Sequence, residues 1–242
     1  MAKADTIRFT IDGQEVEAEK GQNILPIALG AGFDIPHLCY NESVRPYGAC
    51  RLCLVEVKKN GRTRMTTSCT YPALEGIEVF TQTEKVLRAR KLIMELILAM
   101  CPGDEAIREM ASEMGVNDIR FEKEDKDCIL CGLCARVCDE VVGANAIHFA
   151  NKGSHREMIP PFDGEATTCI ACGACVTVCP VDVIKMREEG DERTIVRWNR
   201  TLKMKQCKVC GNYFAPWFQL EKFREQANLP KDFFDVCYNC RD

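Results

Sequence analysis

The sequence predicts an α+β protein built from consecutive small parts. Short stretches that alternate apolar and polar residues fill the first 80 residues, and two helical stretches follow them. Seventeen cysteines occur in 242 residues, and sixteen of them fall into four groups of four. The hydrophobic content of 46% and the net charge of -4 are typical of a globular protein with two or more small domains.

Residues 1–82 are predicted to form a small mixed sheet packed on one helix. The stretches "TIRFTI" and "QEVEAE" form a hairpin across an Asp-Gly turn, and a second hairpin crosses an Asn-Gly turn. A short helix is expected after Asn23, which suits the N-cap position. The stretch "IEVF" at 77–80 supplies a further strand.

Residues 83–120 are predicted to be a helical connector, because the apolar period changes there. "TEKVLRARKLIMELILAM" forms the first helix and "DEAIREMASEMG" the second, which ends at Gly115. The apolar stretch at 92–100 is too short for a membrane span and carries Glu95. It is therefore predicted to be a packed helix.

Residues 121–199 contain two copies of the pattern C-x2-C-x2-C-x3-C, in "CILCGLCARVC" and "CIACGACVTVC". This is the spacing of bacterial ferredoxins, in which the fourth cysteine of each run binds the other [4Fe–4S] cluster. The predicted ligands are Cys128, Cys131, Cys134 and Cys179 for the first cluster, and Cys138, Cys169, Cys172 and Cys175 for the second. The alternative is zinc ligands or structural thiols, which the doubled spacing disfavours.

Each copy of this pattern has a glycine at the same place, Gly132 or Gly173. A missing Cβ there is expected to let backbone N–H groups approach the sulfide of a cluster. Pro180 follows the second copy as in the ferredoxin motif, and Asp139 stands there in the first. That carboxylate is expected to place a charge near the second cluster.

The first cysteine group has the spacing C-x10-C-x2-C-x15-C and contains Cys39, Cys50, Cys53 and Cys69. Plant-type [2Fe–2S] ferredoxins have C-x4-C-x2-C and a distant fourth cysteine, so only the first gap is longer here. The expected small sheet and helix favour a [2Fe–2S] cluster. The alternative is a zinc site of the C-x2-C type.

The stretches "IPHLCYNESVRPYGACRLCLVEV" and "LIMELILA", with the doubled run, resemble the N-terminal part of the large iron–sulfur subunit of bacterial complex I. They equally resemble the iron–sulfur subunits of NAD-linked hydrogenases and formate dehydrogenases, including electron-bifurcating ones. The resemblance covers residues 1–190. It implies a β-grasp [2Fe–2S] ferredoxin-like domain followed by a bacterial-type 2[4Fe–4S] ferredoxin domain.

This resemblance also implies a function and partners. The chain would be a non-catalytic electron-transfer subunit of a cytoplasmic, NAD(H)-linked, multi-subunit oxidoreductase. It would relay electrons between a flavin- and NADH-binding subunit and a catalytic subunit of hydrogenase or formate dehydrogenase type, with ferredoxin as a further candidate partner. The alternative is the iron–sulfur subunit of a succinate dehydrogenase or fumarate reductase, although the long C-x10-C gap disfavours it.

The connector departs from the pattern of many relatives, which bind an extra [4Fe–4S] cluster there through one histidine and three cysteines. This chain has one cysteine, Cys101, and no histidine in "MCPGDEAIREMASEMGV". The extra cluster is therefore expected to be absent. Cys101 is expected to be a small buried thiol at a helix end.

Residues 200–242 hold the last cysteine group, Cys207, Cys210, Cys237 and Cys240, around a helix expected to begin at Pro216. Two C-x2-C pairs are typical of a structural, zinc-ribbon-like site. A second [2Fe–2S] cluster is the alternative, because four thiolates suit either metal. Zinc is favoured here.

Other functions find little support in the sequence. The mild negative charge disfavours nucleic acid as a partner, and with it a zinc-ribbon protein that binds nucleic acid. No secretory signal, membrane insertion or catalytic residue is expected, which favours a cytoplasmic location. His37 lies two residues before Cys39, but four cysteines are already available there, so a packing or surface role is expected for it. His148 and His155 have no partner at metal-ligand spacing. No dinucleotide-binding fingerprint is present, so the chain alone is expected to bind neither NADH nor flavin.

Overall fold

The protein is described here from a computed structural model that covers residues 6–124, 126–161 and 164–241. The chain folds into two compact units, Met1–Cys131 and Gly132–Asp242. Within the described residues, no helix is both long enough and apolar enough to cross a bilayer.

The first unit contains a five-stranded mixed sheet. Its strands are β1 (Thr6–Ile11), β2 (Gln14–Glu19), β3 (Leu54–Lys59), β4 (Arg62–Thr67) and β5 (Glu78–Phe80). Their order is β2-β1-β5-β3-β4, in which β1 and β5 are parallel and the other neighbours antiparallel. Both predicted hairpins are confirmed. A mixed sheet of this order with one packed helix is the predicted β-grasp arrangement.

Helix α1 (Ile24–Gly30) packs on this sheet and completes its core. Ile24 and Leu25 are fully buried among the inward-facing residues of the strands. The helix follows Asn23 as predicted, but the Asn23 side chain makes no capping hydrogen bond. Instead, the N–H groups of Ile24 and Leu25 each donate at 3.0 Å to backbone carbonyls of the segment that follows β4. Tertiary contacts thus provide acceptors for the free N–H groups at the start of the helix, and the sequence pattern alone does not reveal these contacts.

The predicted connector helices are confirmed as α2 (Glu84–Met100) and α3 (Glu105–Glu113). Each has a side-chain N-cap: Thr83 accepts from the N–H of Val86 at 3.2 Å, and Asp104 from that of Ile107 at 2.9 Å. Helix α2 packs against β3 and buries one arginine, Arg90, which is 2% exposed. The connector is therefore fixed to the sheet of the first unit.

The second unit begins with short helical segments and a two-stranded hairpin. Helix α4 (Leu133–Arg136) continues into a π-helical turn, Val137–Val141, and helix α5 (Ala174–Thr177) occupies the equivalent place in the second cysteine copy. Strands β6 (His148–Ala150) and β7 (Glu157–Ile159) pair within the insertion between the copies.

An antiparallel sheet of four strands makes up much of the rest of this unit. The strands are β8 (Met186–Glu189), β9 (Glu192–Ile195), β10 (Arg200–Gln206) and β11 (Tyr213–Pro216), in the order β11-β10-β9-β8. The predicted boundary between 199 and 200 falls at the turn that joins the paired strands β9 and β10. Helix α6 (Trp217–Gln226) begins one residue after Pro216, because that proline still pairs with Met204 of β10.

Candidate metal centres

The first cysteine group lies on the loops beside one end of the mixed sheet. Cys39 follows α1, Cys53 immediately precedes β3, and Cys69 follows β4. These three cysteines are each 1% exposed, and Cys50 is half-buried. Ser68 fixes the loop, since its N–H and its hydroxyl both donate to the carbonyl oxygen of Cys53, at 2.9 and 2.8 Å.

These four thiols form two pairs. The Cys39 thiol hydrogen-bonds to Cys50 and lowers the pKa of Cys50 to about 5, while the Cys69 thiol lowers the pKa of Cys53 to about 7 in the same way. The pKa values of the two donors, Cys39 and Cys69, are raised by the same hydrogen bonds. In a [2Fe–2S] cluster each tetrahedral iron takes two thiolates and two bridging sulfides. Two thiol pairs therefore fit that cluster, with one pair for each iron.

The two copies of the ferredoxin pattern have matching local conformations. Leu130 and Ala171, at equivalent places, both have a φ of +53°, and each donates its N–H at 3.4 Å to the Sγ of the cysteine two residues earlier. Gly132 and Gly173 have φ values of +72° and +81°, a region that favours glycine. Each copy thus points one backbone N–H toward the sulfur of its first cysteine.

Four cysteines from both copies line a single cavity in the second unit. They are Cys138, Cys169, Cys172 and Cys175, and the cavity wall also includes Ile195 and Trp198. Cys138 comes from the first copy, and it lies on the π-helical turn, a feature common at functional sites. The N–H of Ala146 donates to the Cys138 Sγ at 3.3 Å. This cavity fits the four-thiolate set of a [4Fe–4S] cluster.

The surroundings of this cavity disfavour free thiolates in the metal-free chain. Burial raises the pKa of the Cys175 thiol to about 12, and burial also raises the pKa values of Cys138 and Cys169. A positively charged metal that replaces those protons would offset the free-energy cost of burying the thiolates. Asp139 is exposed on the π-helical turn, so its charge stays in water.

The cysteines predicted for the other [4Fe–4S] cluster are divided between the two units. Cys128 and Cys131 belong to the first unit, and Cys134 and Cys179 to the second. Cys131 and Cys134 are each 8% exposed, and the other two are half-buried. Their common ligation remains a prediction from the spacing of the two runs.

The C-terminal cysteine group converges on a single point. The Sγ atoms of Cys207, Cys210, Cys237 and Cys240 all lie within 4.8 Å of one another, and within the described part of the chain no other group of three or more candidate ligands is so compact. A tetrahedral ion with metal–sulfur bonds of about 2.3 Å needs sulfur atoms about 3.8 Å apart. Two irons would hold their thiolate pairs farther apart, so this site fits one metal ion.

A hydrogen-bonded backbone turn follows the first cysteine of each ligand pair in this C-terminal site. Gly211 donates its N–H to the Cys207 carbonyl at 3.0 Å, and Cys240 donates to the Cys237 carbonyl at 3.1 Å. The N–H of Cys237 also donates to the Cys207 Sγ at 3.3 Å. Backbone N–H groups of Cys210 and Cys237 lower the pKa of Cys207 to about 6, which favours the thiolate that a metal requires.

Two lysines place positive charge beside this site. The ammonium groups of Lys205 and Lys208 donate to the two carboxylate oxygens of Asp235 at 2.5 and 2.6 Å, and they lower its pKa. Each of the three residues lies within two positions of a ligand cysteine. Because Asp235 offsets one of the two ammonium charges, these three side chains together add one net positive charge close to the ligand cysteines in the sequence.

The remaining residues considered in the sequence, two histidines and Cys101, make hydrogen bonds to the backbone or are buried. His37 and His148 bond through a ring nitrogen to backbone carbonyls, at 2.9 and 3.1 Å. Cys101 is fully buried, and burial raises its pKa to about 12. Two further residues contact the second cysteine copy: Trp198 from the turn before β10, and Arg200 from the first position of β10. No spacing rule marks them, because their partners lie more than 20 residues away.

Two parts of the chain match known protein families. Residues 4–84 match the family described as "2Fe-2S iron-sulfur cluster binding domain". Residues 122–186 match the family described as "4Fe-4S dicluster domain". The chain therefore contains these two iron–sulfur domains in the predicted order.

Among curated proteins, the chain is 35% identical over 183 residues to the NADPH-Fe(3+) oxidoreductase subunit alpha of Geobacter sulfurreducens. It is 30% identical over 177 residues to a subunit of the NADH-quinone oxidoreductase of Rickettsia prowazekii. These matches cover 65% and 63% of the chain, but only 21% and 26% of the relatives. The chain thus corresponds to about a quarter or less of each relative's length.

A solved structure provides a more complete match. It is the crystal structure of an NAD+-reducing [NiFe]-hydrogenase in the H2-reduced state, with a TM-score of 0.64 and 28% sequence identity. The match covers 73% of this chain and 85% of the matched chain. Most of the matched hydrogenase chain is therefore represented here.

Proposed function

Since this chain is an iron–sulfur protein homologous to subunits of NADH-quinone oxidoreductase and of NAD+-reducing [NiFe]-hydrogenase, we propose that it is an electron-transfer subunit of a cytoplasmic, NAD(H)-linked oxidoreductase complex. It relays electrons between a flavin- and NADH-binding subunit and a catalytic subunit of hydrogenase or formate dehydrogenase type. Ferredoxin is a further partner that this assignment allows.

One observation carries the proposal most directly. A [2Fe–2S] domain is followed by a 4Fe-4S dicluster domain in one chain, with cysteines of both ferredoxin copies around one cavity. Clusters within one chain form a path for single electrons and do not require a substrate site. The homologous hydrogenase chain supports the same role, because the match covers 85% of its length.

The proposed complement is one [2Fe–2S] cluster, two [4Fe–4S] clusters and one zinc ion. The thiol pairing of the first group supports the [2Fe–2S] assignment, and the compact C-terminal group supports one structural ion. The proposed ligand sets are Cys39, Cys50, Cys53 and Cys69 for [2Fe–2S], Cys128, Cys131, Cys134 and Cys179 for the first [4Fe–4S], Cys138, Cys169, Cys172 and Cys175 for the second, and Cys207, Cys210, Cys237 and Cys240 for zinc.

The chain's own residues influence the reduction potentials of the proposed clusters and so the transfer of electrons between them. When bound, iron–sulfur clusters accept and release one electron at a time with little change of geometry. Hydrogen bonds hold the ligand loops, as at Ser68, and apolar side chains such as that of Ile195 line the cavity of the second ferredoxin copy. The buried guanidinium of Arg90 places a positive charge near Cys53. Hydrogen bonds, charge and burial of this kind determine the order of reduction potentials.

The proposal is tested by anaerobic purification of the tagged chain from its native cells. We expect a flavin-containing, NADH-binding subunit to co-purify, and NADH to reduce the clusters of the assembly but not those of the isolated chain. Dithionite should reduce both preparations. Reduction of the assembly by succinate instead of NADH would favour the succinate dehydrogenase alternative and contradict the proposal.

A further inference from the structure

Trp198 is a buried hydrogen-bond donor beside the second cysteine cavity. Its side chain is 2% exposed, and its indole N–H donates to the Sγ of Cys175 at 3.4 Å. An indole offers one donor and no acceptor, and a buried indole usually finds a partner for that donor. Here the partner is the sulfur of a proposed cluster ligand.

Three contacts hold Trp198 and its neighbours against the second cysteine copy. The carbonyl oxygen of Trp198 accepts from the N–H of Ala166 at 3.4 Å. Arg200, two residues later, donates from Nε to the Cys169 carbonyl and from Nη2 to the Thr167 carbonyl, each at 3.0 Å. The turn that carries the indole is thus fastened to the loop that carries the ligands.

We propose that Trp198 is a positioning residue that raises the reduction potential of the [4Fe–4S] cluster held by Cys138, Cys169, Cys172 and Cys175. The inference rests on the proposed function, because it takes that cluster as bound at this cavity. A hydrogen bond to a ligand sulfur stabilises negative charge there, and one-electron reduction adds one negative charge to the cluster. The N–H of Trp198 therefore favours the reduced form.

Loss of the hydrogen bond and loss of packing move the potential in opposite directions. If Trp198 acted only by excluding water, its removal would let water stabilise the more negative, reduced cluster and would raise the potential. Loss of the N–H alone lowers the potential. Trp198→Phe keeps an aromatic ring in the cavity wall and removes the donor, so the sign of the shift separates the two roles.

The experiment is an anaerobic redox titration of the full chain, monitored by electron paramagnetic resonance (EPR). In Trp198→Phe we expect the reduction equilibrium of this cluster to shift about tenfold toward the oxidised form, which is about 59 mV lower for one electron. Trp217→Phe is the matched control, because Trp217 is the other of the two tryptophans and is 46% exposed. It should leave the potential unchanged. An unchanged or raised potential in Trp198→Phe overturns the inference.

A second measurement uses the unmutated chain and so does not depend on how the variant folds. With nitrogen-15 at the indole nitrogens, electron–nuclear double resonance of the reduced cluster should show a coupled, exchangeable N–H. The coupling should persist in Trp217→Phe. If both [4Fe–4S] signals are present and the coupling is absent, this inference fails alone. If the [4Fe–4S] signals themselves are absent, the proposed function fails.

Discussion

The guanidinium of Arg90 donates two hydrogen bonds to the carbonyl oxygen of Leu54, from Nη2 at 2.7 Å and from Nε at 3.0 Å. Leu54 directly follows Cys53, a proposed ligand of the [2Fe–2S] cluster, and Arg90 lies on the connector helix α2. Burial lowers the pKa of this guanidinium, and the negative charge at Cys53 opposes that effect. One buried side chain thus joins the connector to the ligand loop.

Arg90→Met should therefore destabilise the first unit. Loss of both hydrogen bonds is expected to lower the free energy of unfolding by about 1–3 kcal/mol, measured by anaerobic denaturant unfolding. Arg88→Ala is the matched control on the same helix, because its side chain is 77% exposed and pairs only loosely, at 3.8 Å, with Glu84. That change should cost about 0.5 kcal/mol or less. Equal losses in the two variants would show that the Arg90 contact is unimportant.

Crossed ligation of the two [4Fe–4S] clusters predicts a specific pattern of spectral changes. Cys138→Ser should perturb the cluster of Cys169, Cys172 and Cys175, because Cys138 lines the same cavity. Cys179→Ser should perturb the other cluster. EPR spectra of the variants, recorded at a series of potentials, distinguish the two clusters when their reduction potentials differ. If each substitution perturbs the cluster of its own run, the crossed assignment is wrong.

Cys101 should be dispensable for all metal centres. It is fully buried, burial raises its pKa to about 12, and its surroundings are those of a packed helix end. Cys101→Ala should leave the iron content unchanged and lower the free energy of unfolding by about 1 kcal/mol. Iron analysis and denaturant unfolding check both parts. Loss of any cluster would show that the connector does contribute a ligand.

The C-terminal site should lose its metal without loss of iron. Cys240→Ser removes one of four ligands from the compact group, and we expect zinc to fall from about one ion per chain to a small fraction. Cys101→Ser is the control for the loss of a thiol elsewhere. Elemental analysis after dialysis against a chelator gives the result. A parallel fall in iron would mean that this group holds an iron centre.

Much of the first unit is predictable because local rules and tertiary structure agree there. Strands β1 and β2 alternate apolar and polar residues around a Gly-containing turn, and the structure has that register. Strand β8 was missed, because all of its side chains are exposed and it has no apolar alternation. The hairpin of β6 and β7 was missed because three-residue strands carry too little pattern.

For the candidate sites too, the sequence predicts the local features and does not predict the tertiary contacts. Cysteine spacing identifies the proposed ligands, since a cluster requires thiolates at fixed intervals along a loop. Spacing does not reveal the Cys39–Cys50 and Cys53–Cys69 thiol pairs, which depend on how α1, β3 and β4 place their loops. Nor does it reveal the contact of Trp198 with Cys175, which joins positions 23 residues apart.

Metal stoichiometry of the anaerobically purified chain, with Mössbauer spectroscopy to identify the iron species, tests the proposed set of clusters. We expect about ten iron atoms, in two clusters of four and one of two, and one zinc ion per chain. About twelve irons without zinc would place a second [2Fe–2S] cluster in the C-terminal group, and about eleven would place a single iron there. Fewer than about eight irons, with zinc in the ferredoxin copies, would contradict the account of this chain as an electron-transfer protein.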